Sequence, residues 1–305
     1  MMRSGELQAK RTIDPIQCLV WIVSSTFFAG LLLILGLWIT QAWPAISTYG
    51  FQLIAGKEWF YRDQSFGASG MIYGSIVVSL IALCLAAPVA ISAAVFISEF
   101  LSPRLRPIVK AMVEFLAAVP SVVYGLLGIL LLRERIADLL IDFDPLSGDM
   151  LLTAGVLLAV MILPTIATFS EDALRAVSQE QRLAARGLGM NRGETILHVV
   201  LPRAWPGILG AALLGTGRAL GETIAVFLVV GRLDNQLPEK FFSLRSLIEP
   251  GQTLTSKLGG PETHIALGDP LHWGAILNLG LILLVLSALF VSTGTLLRKL
   301  RRTIS

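Results

Sequence analysis

The chain has 305 residues, 54% of them hydrophobic and 15% charged, with a formal net charge of +3 and a mean hydropathy of +0.74. A soluble domain of this length needs no such apolar excess, and three surplus positive charges are too few to mark a nucleic-acid partner. Cys18 and Cys84 lie in apolar runs, and His198, His264 and His272 lack metal-ligand spacing, so neither a disulfide framework nor a metal centre is predicted.

The fold class that follows is all-α, a polytopic membrane protein. Residues 1–19 form a basic N-terminal segment, and six apolar runs follow near Val20–Gln41, Met71–Ile97, Ile108–Leu132, Leu151–Phe169, Gly207–Val230 and Trp273–Leu297. Each is long enough to cross about 30 Å of hydrocarbon at about 1.5 Å per residue. The first is too long for a typical signal-peptide core and has no clean small-x-small cleavage site after it, so it reads as a retained span. Without repeats or long linkers, residues 20–305 read as one transmembrane domain.

Basic residues orient it. The N-terminus, the turn at 98–107 with Lys110, the 171–206 loop and the C-terminus together hold 15 Lys and Arg. The segments 42–70, 133–150 and 231–272 hold 8. Cytoplasmic loops are enriched in Lys and Arg, which places both termini in the cytoplasm. Trp43, Trp59, Tyr61 and Trp273 sit where an aromatic belt belongs.

Prolines punctuate the inner spans: Pro88 in the second, Pro120 in the third and Pro164 in the fourth. Each can interrupt its helix and free carbonyls that then need partners, as in the broken helices of transporters. Glu114, in span three, either snorkels or caps near the cytoplasmic end, pairs with a neighbouring helix, or lines a polar path with Ser121.

The 171–206 loop carries a pattern: Leu183-Ala184-Ala185, Gly189, then Val199, Leu201 and Pro202. Helix formers before Gly189 predict a short helix, and a glycine there permits a left-handed turn. A second short helix from Arg192 is expected to end before Pro202. Leu183, Leu188, Ile196 and Val199 would give an apolar face, with Arg182, Arg186 and Arg192 as a charged rim. Such a segment fits either an amphipathic helix on anionic headgroups or a docking surface for a partner.

Span five holds Arg218 and Glu222, four apart and so on one face of a continuous helix. They either neutralise each other as a structural pair, or Arg218 offers a guanidinium fork to a passing anion while Glu222 holds it in place. Gly217 and Gly221 beside them form a Gly-x-x-x-Gly face that lets a helix approach closely.

These motifs resemble a known family. The Ala184-Ala185, Gly189, Val199, Leu201-Pro202 spacing is similar to the EAA loop of ABC importer permeases, with Leu183 where that family has Glu. Pro120-Ser121-Val-Val-Tyr124-Gly125, Tyr73-Gly74-Ser75 and Gly217-Arg218-Ala-Leu-Gly221-Glu222-Thr223 resemble segments of phosphate importer permeases, the last typical of the PstC-type subunit. The resemblance covers roughly residues 65 to 300. It implies a type I ABC importer permease fold in a bacterial inner membrane and transport of inorganic phosphate. It also implies a PstA-type permease partner, two ATP-binding subunits that hold ATP and Mg²⁺, and an extracytoplasmic phosphate-binding protein.

The residues are compatible with that expectation. No Gly-x-x-x-x-Gly-Lys-Ser/Thr phosphate loop is present, so ATP acts through a partner and this chain binds no cofactor of its own. No catalytic set such as His-Glu-x-x-His lies in a span, which argues against a membrane-embedded enzyme. Two other readings stay open: a permease of the same fold for sulfate or molybdate, and a membrane sensor or scaffold.

Overall fold

The structure, a computed structural model, describes residues 15–235, 237–238 and 243–304. Most of the N-terminal segment, with Glu239 and Lys240 of the last external loop, falls outside the described residues.

Continuous apolar sequence with no charge to solvate makes long helices. Helix α1 (Pro15–Tyr49) exceeds the expected first span at both ends. After the short α2 (Gln52–Ala55), β1 (Trp59–Phe60) and β2 (Ser65–Phe66) form an antiparallel hairpin, and a single parallel bridge joins Gly231 to Gly251. Helix α3 (Ser69–Val95) runs through Pro88 without interruption and ends in a wider π-type turn, Phe96–Phe100. Span three is α4 (Arg106–Ala117) followed by α5 (Ser121–Leu127), a π-type turn at Gly128–Leu132, and α6 (Arg133–Leu139). Its two halves are bent by 80° at Pro120. Helix α7 (Leu151–Arg175) absorbs Pro164 and continues past the expected end of span four.

The cytoplasmic loop is helical almost throughout. Helix α8 (Gln179–Gly187) is followed by α9 (Arg192–Thr195), a π-type turn at Ile196–Val200, and α10 (Leu201–Gly221). Pro202 therefore does not end a helix, contrary to expectation. A proline ring clashes with the carbonyl four residues back, and the widened turn just before Pro202 gives that carbonyl room. Asn191 starts this long helix with a capping box: its side chain accepts from the Glu194 N–H at 2.9 Å, and Glu194 accepts from the Asn191 N–H at 2.8 Å. Span five then breaks at Glu222 and resumes as α11 (Ile224–Val229). The external segment holds α12 (Leu244–Ile248), α13 (Leu254–Leu258) and α14 (Glu262–Ile265), and α15 (Pro270–Ile304) closes the chain.

Five of these helices are long and apolar enough to cross a membrane, and the bent pair makes a sixth span. The bundle packs on small residues. Ala82, Ala86, Ala90 and Ala94 recur every fourth residue of α3, all fully buried, so α7 and α10 come in close. Gly155 of α7 lies under Ile81, where a Cβ would sit 2.5 Å from its Cγ2. Helix α1 stays outside this core and joins only one edge, where Trp38 donates from Nε1 to the Leu277 carbonyl at 3.1 Å.

The external cap is polar inside. Lys257 is buried and pairs with Asp234 at 2.5 Å and with Glu262. Glu262 also accepts from Trp59 Nε1 at 2.6 Å and contacts His272 Nε2 at 2.8 Å. Burial raises the carboxyl pKa of Asp234, and Lys257 does not fully offset this. Burial pushes Glu262 the same way, but hydrogen bonds from Lys257 and Trp59 outweigh it and hold the carboxyl below its ordinary value. Of the two acids sharing Lys257, Glu262 keeps the charge more firmly.

Two outcomes follow for thermal unfolding in detergent. Lys257→Met leaves both carboxylates without a counter-charge and costs about 3–5 kcal/mol. A lowered folded-state pKa gives stability that is fully present above the unfolded value, about 4.3, and is lost as pH falls through the folded value. Wild type should therefore lose stability on that acid limb, and Glu262→Gln should lack that component of the loss.

Candidate functional site

The bend in span three creates a local deficit of hydrogen bonds. In a continuous helix the Leu116 carbonyl would accept from residue 120, which is proline and has no N–H. The Ala117 carbonyl would accept from Ser121, which the bend carries away. Tyr124 Oη donates to the Leu116 carbonyl at 2.8 Å. Arg218 Nη2 donates to the Ala117 carbonyl at 3.1 Å, and its Nη1 donates to Thr165 Oγ1 on α7 at 3.0 Å. One guanidinium thus joins α10 to α4 and α7. Ala117 lies about 16 Å along α4 from its start at Arg106, at about 1.5 Å per residue, so the junction lies within span three rather than at its end.

Arg218 is half-buried, and no carboxylate pairs with it among the described residues. Its partners are a hydroxyl and a carbonyl at the C-terminal end of α4, where the helix dipole is negative. Two of its five N–H donors are engaged there, which leaves three.

The expected pairing with Glu222 is corrected. Helix α10 ends at Gly221, and Glu222 is extended (φ −74°, ψ 120°), so the two residues do not share a continuous helical face. The Glu222 carboxylate instead accepts the Ala225 N–H at 3.3 Å at the start of α11, and its carbonyl accepts Thr255 Oγ1 at 2.8 Å. The second break is thus held from the external side by α13.

Ser121 opens α5 across the bend from Ala117. Glu114 projects from α4 and has no hydrogen-bond or ion-pair partner among the described residues, so the capping and pairing readings are not realised within this chain. Gly217 and Gly221 are exposed, and a Cβ on either would meet no atom within 4 Å. The close helix contact expected of them is not made inside this chain.

The cytoplasmic hairpin is built as its glycine foretold. Gly189 has φ +88°. Its N–H donates to the Arg186 carbonyl at 2.9 Å, and the Met190 N–H reaches back to Ala185 at 3.2 Å, the paired bonds of a Schellman stop. Leu183, Ala184 and Leu188 are exposed, while Ala185 is buried. Val200 rather than Val199 is the fully buried valine, packing with Leu201, Ala204 and Ile208 against Ala94 and Leu174. Pro202 is exposed.

Arg182 is not a rim residue. Its Nη1 reaches both carboxylate oxygens of Glu99 at 2.6 Å, and its Nη2 donates to the Leu174 carbonyl at 2.7 Å. Arg192, though exposed, is also engaged, donating to the Glu99 carbonyl and lying 4.9 Å over the Phe100 ring. Only Arg186 of the three is free to form the expected rim.

Sequence reasoning missed Thr165, Tyr124 and Glu99. Tyr124 had a usable signal, since a tyrosine four residues after a mid-span proline can return its hydroxyl to the freed carbonyl. Thr165 and Glu99 lie 53 and 83 residues from their arginines, and no local spacing marks them.

With this geometry in hand, comparison with known proteins is informative. A family described as the binding-protein-dependent transport system inner membrane component matches residues 86–302. The phosphate transport system permease protein PstC of Mesorhizobium japonicum is 33% identical over 267 residues, covering 82% of this chain and 79% of the relative. PstC of Pasteurella multocida is 33% identical over 275 residues, covering 84% and 82%. An inward-facing structure of the MetNI methionine ABC transporter matches with a TM-score of 0.58 at 16% identity, covering 76% of this chain and 94% of that one, a likeness of fold. The chain belongs to the binding-protein-dependent transport system inner membrane component family, as a multi-pass membrane subunit.

Proposed function

We propose that this chain is a permease subunit of an ATP-driven importer of inorganic phosphate. It pairs with a PstA-type permease, two ATP-binding subunits and an extracytoplasmic phosphate-binding protein. The observation that carries the reading is Arg218: a cation within a membrane span, tied to the break of span three, with no carboxylate paired to it among the described residues and two of its five N–H donors engaged. Placing arginine in hydrocarbon costs from about 2.5 to well over 10 kcal/mol, so it belongs beside protein or a water-filled path. A passing oxyanion supplies the missing counter-charge and matches the guanidinium fork. The bond to Ala117 fixes the arginine's position, and the modest number of free donors keeps the site weak enough to release its cargo.

Ser121 and Glu114 flank the same broken helix, and Glu222 holds the matching break in span five. Gly217 and Gly221 present their open face to the second permease. On the cytoplasmic side, exposed Leu183, Ala184 and Leu188 of the hairpin form the surface that docks on an ATP-binding subunit. ATP closure moves that hairpin, and the spans rock between inward and outward openings. ATP and Mg²⁺ act on the partner subunits, so this chain is a non-catalytic transport component.

The reading is tested in proteoliposomes holding the assembled importer and its binding protein. Arg218→Lys keeps the charge but loses the fork, and phosphate uptake is expected to fall tenfold or more in complexes of normal composition. Full uptake would end the bidentate reading. Labelled sulfate and molybdate, supplied in parallel, should be carried at least tenfold more slowly than phosphate; equal or faster uptake of either transfers the assignment to that oxyanion. Gly189→Pro can neither hold φ +88° nor donate the N–H to Arg186. It should leave ATP hydrolysis running while uptake per ATP collapses, and unchanged coupling would refute the lever.

A further inference from the structure

The cytoplasmic end of α3 is held in an unusual way. Its π-type turn, Phe96–Phe100, is gripped by three arginines from three other segments. Arg106, at the start of α4, donates from Nε to the Ile97 carbonyl at 3.0 Å and from Nη2 to the Ser98 carbonyl at 2.6 Å. Arg182 of α8 binds the Glu99 carboxylate, and Arg192 of α9 binds the Glu99 carbonyl. The Glu99 side chain is only 8% exposed and that of Arg182 13%. Glu99 is thus the residue on which both short helices of the hairpin converge, one through its side chain and one through its backbone.

The hairpin is joined by the chain to α7 on one side and to α10 on the other. Helix α3 is not its neighbour in sequence, so a push on the hairpin reaches α3 through packing and through these side chains. The apolar layer above sets Ala94 against Val200 of the π-type turn and against Ala204 and Ile208 of α10. Apolar packing resists separation but permits sliding. A buried carboxylate bonded at both oxygens by Arg182 Nη1, with Nη2 of the same guanidinium anchored on the Leu174 carbonyl, is a charge-assisted tie that apolar packing lacks.

We propose that Glu99 and Arg182 form the clamp through which the cytoplasmic hairpin drives α3, so that they are positioning residues for coupling rather than residues that touch cargo. The proposal rests on the reading of the hairpin as the ATPase-docking element. Arg182 also binds the Leu174 carbonyl, so the same guanidinium carries the end of α7 and the end of α3 together. Arg106 and Arg192 stiffen the turn that the clamp pulls on. The hairpin would thereby move α3, α7 and α10, the three helices that pack closest to one another, as one body.

The test uses the assembled importer in proteoliposomes. Glu99→Gln keeps the shape of the side chain and removes its charge. ATP hydrolysis should stay within about twofold of wild type, and phosphate taken up per ATP should fall about tenfold. Arg182→Gln should do the same, and the double variant should be no worse than either single one, because the two act as a unit. A merely structural pair would lower the yield or melting temperature of the complex while leaving the ratio of uptake to hydrolysis unchanged in what assembles, and that result would overturn the proposal. A second readout does not depend on the cargo. With Cys18 and Cys84 replaced by serine, nitroxides at the exposed positions Glu180→Cys and Arg104→Cys report the distance from the hairpin to the turn that follows the gripped end of α3. That distance should stay single and narrow with and without ATP in wild type, and broaden on ATP binding in Glu99→Gln. An unchanged narrow distance in the variant would refute the clamp. If wild type carries no phosphate, the cargo assignment fails while the nitroxide distances still decide on the clamp.

Discussion

A single hydrogen bond, from the Arg218 guanidinium to the Ala117 carbonyl, settles two costs at once. Breaking span three at Pro120 leaves carbonyls without helical partners, and each buried orphan costs about 1–3 kcal/mol. Burying an arginine within a membrane span costs at least as much. Each group is what the other lacks. At Leu116 the carbonyl accepts from Tyr124 Oη and from the Val119 N–H, so it too is satisfied within the chain. What the hydrogen bond does not supply is a negative charge, and in the proposed function that is what a passing anion would bring.

The rest of the fold keeps this junction in place from both ends. Alanines along α3 let α7 and α10 approach closely, which brings Thr165 and Arg218 within bonding distance. On the external side, α13 descends onto the break in span five through Thr255, and its first N–H, from Leu254, binds Ser75 Oγ of α3 at 2.9 Å. Buried Lys257 and its carboxylates stabilise that segment from within. On the cytoplasmic side, arginines gather the ends of α3, α7 and the hairpin. Polarity within the spans is therefore confined between two polar layers, with alanine and branched apolar packing between them.

The spans were legible because hydropathy over about twenty residues is a strong, local signal. So was Gly189, whose left-handed turn needs a residue without a Cβ. Proline was read less evenly. Pro120 broke its helix as expected, but Pro88 and Pro164 did not, and Pro202 sits at the start of a helix that continues from a widened turn. Arg218 was partnered wrongly. Spacing of four pointed to Glu222, whereas the helix ends between them and the real partners come from α4 and α7. Arg182 was misread for the same reason, since its carboxylate lies 83 residues away.

The account turns on whether the spare donors of Arg218 meet the transported anion. The most direct measurement is a high-resolution structure of the complete importer, with its second permease and ATP-binding subunits, trapped in the presence of phosphate. The account predicts density for a tetrahedral anion with an oxygen about 2.7–2.9 Å from the Arg218 guanidinium, with the bond to Ala117 retained. A guanidinium sealed against the second permease or lipid, remote from any continuous path between the two permeases, would contradict it.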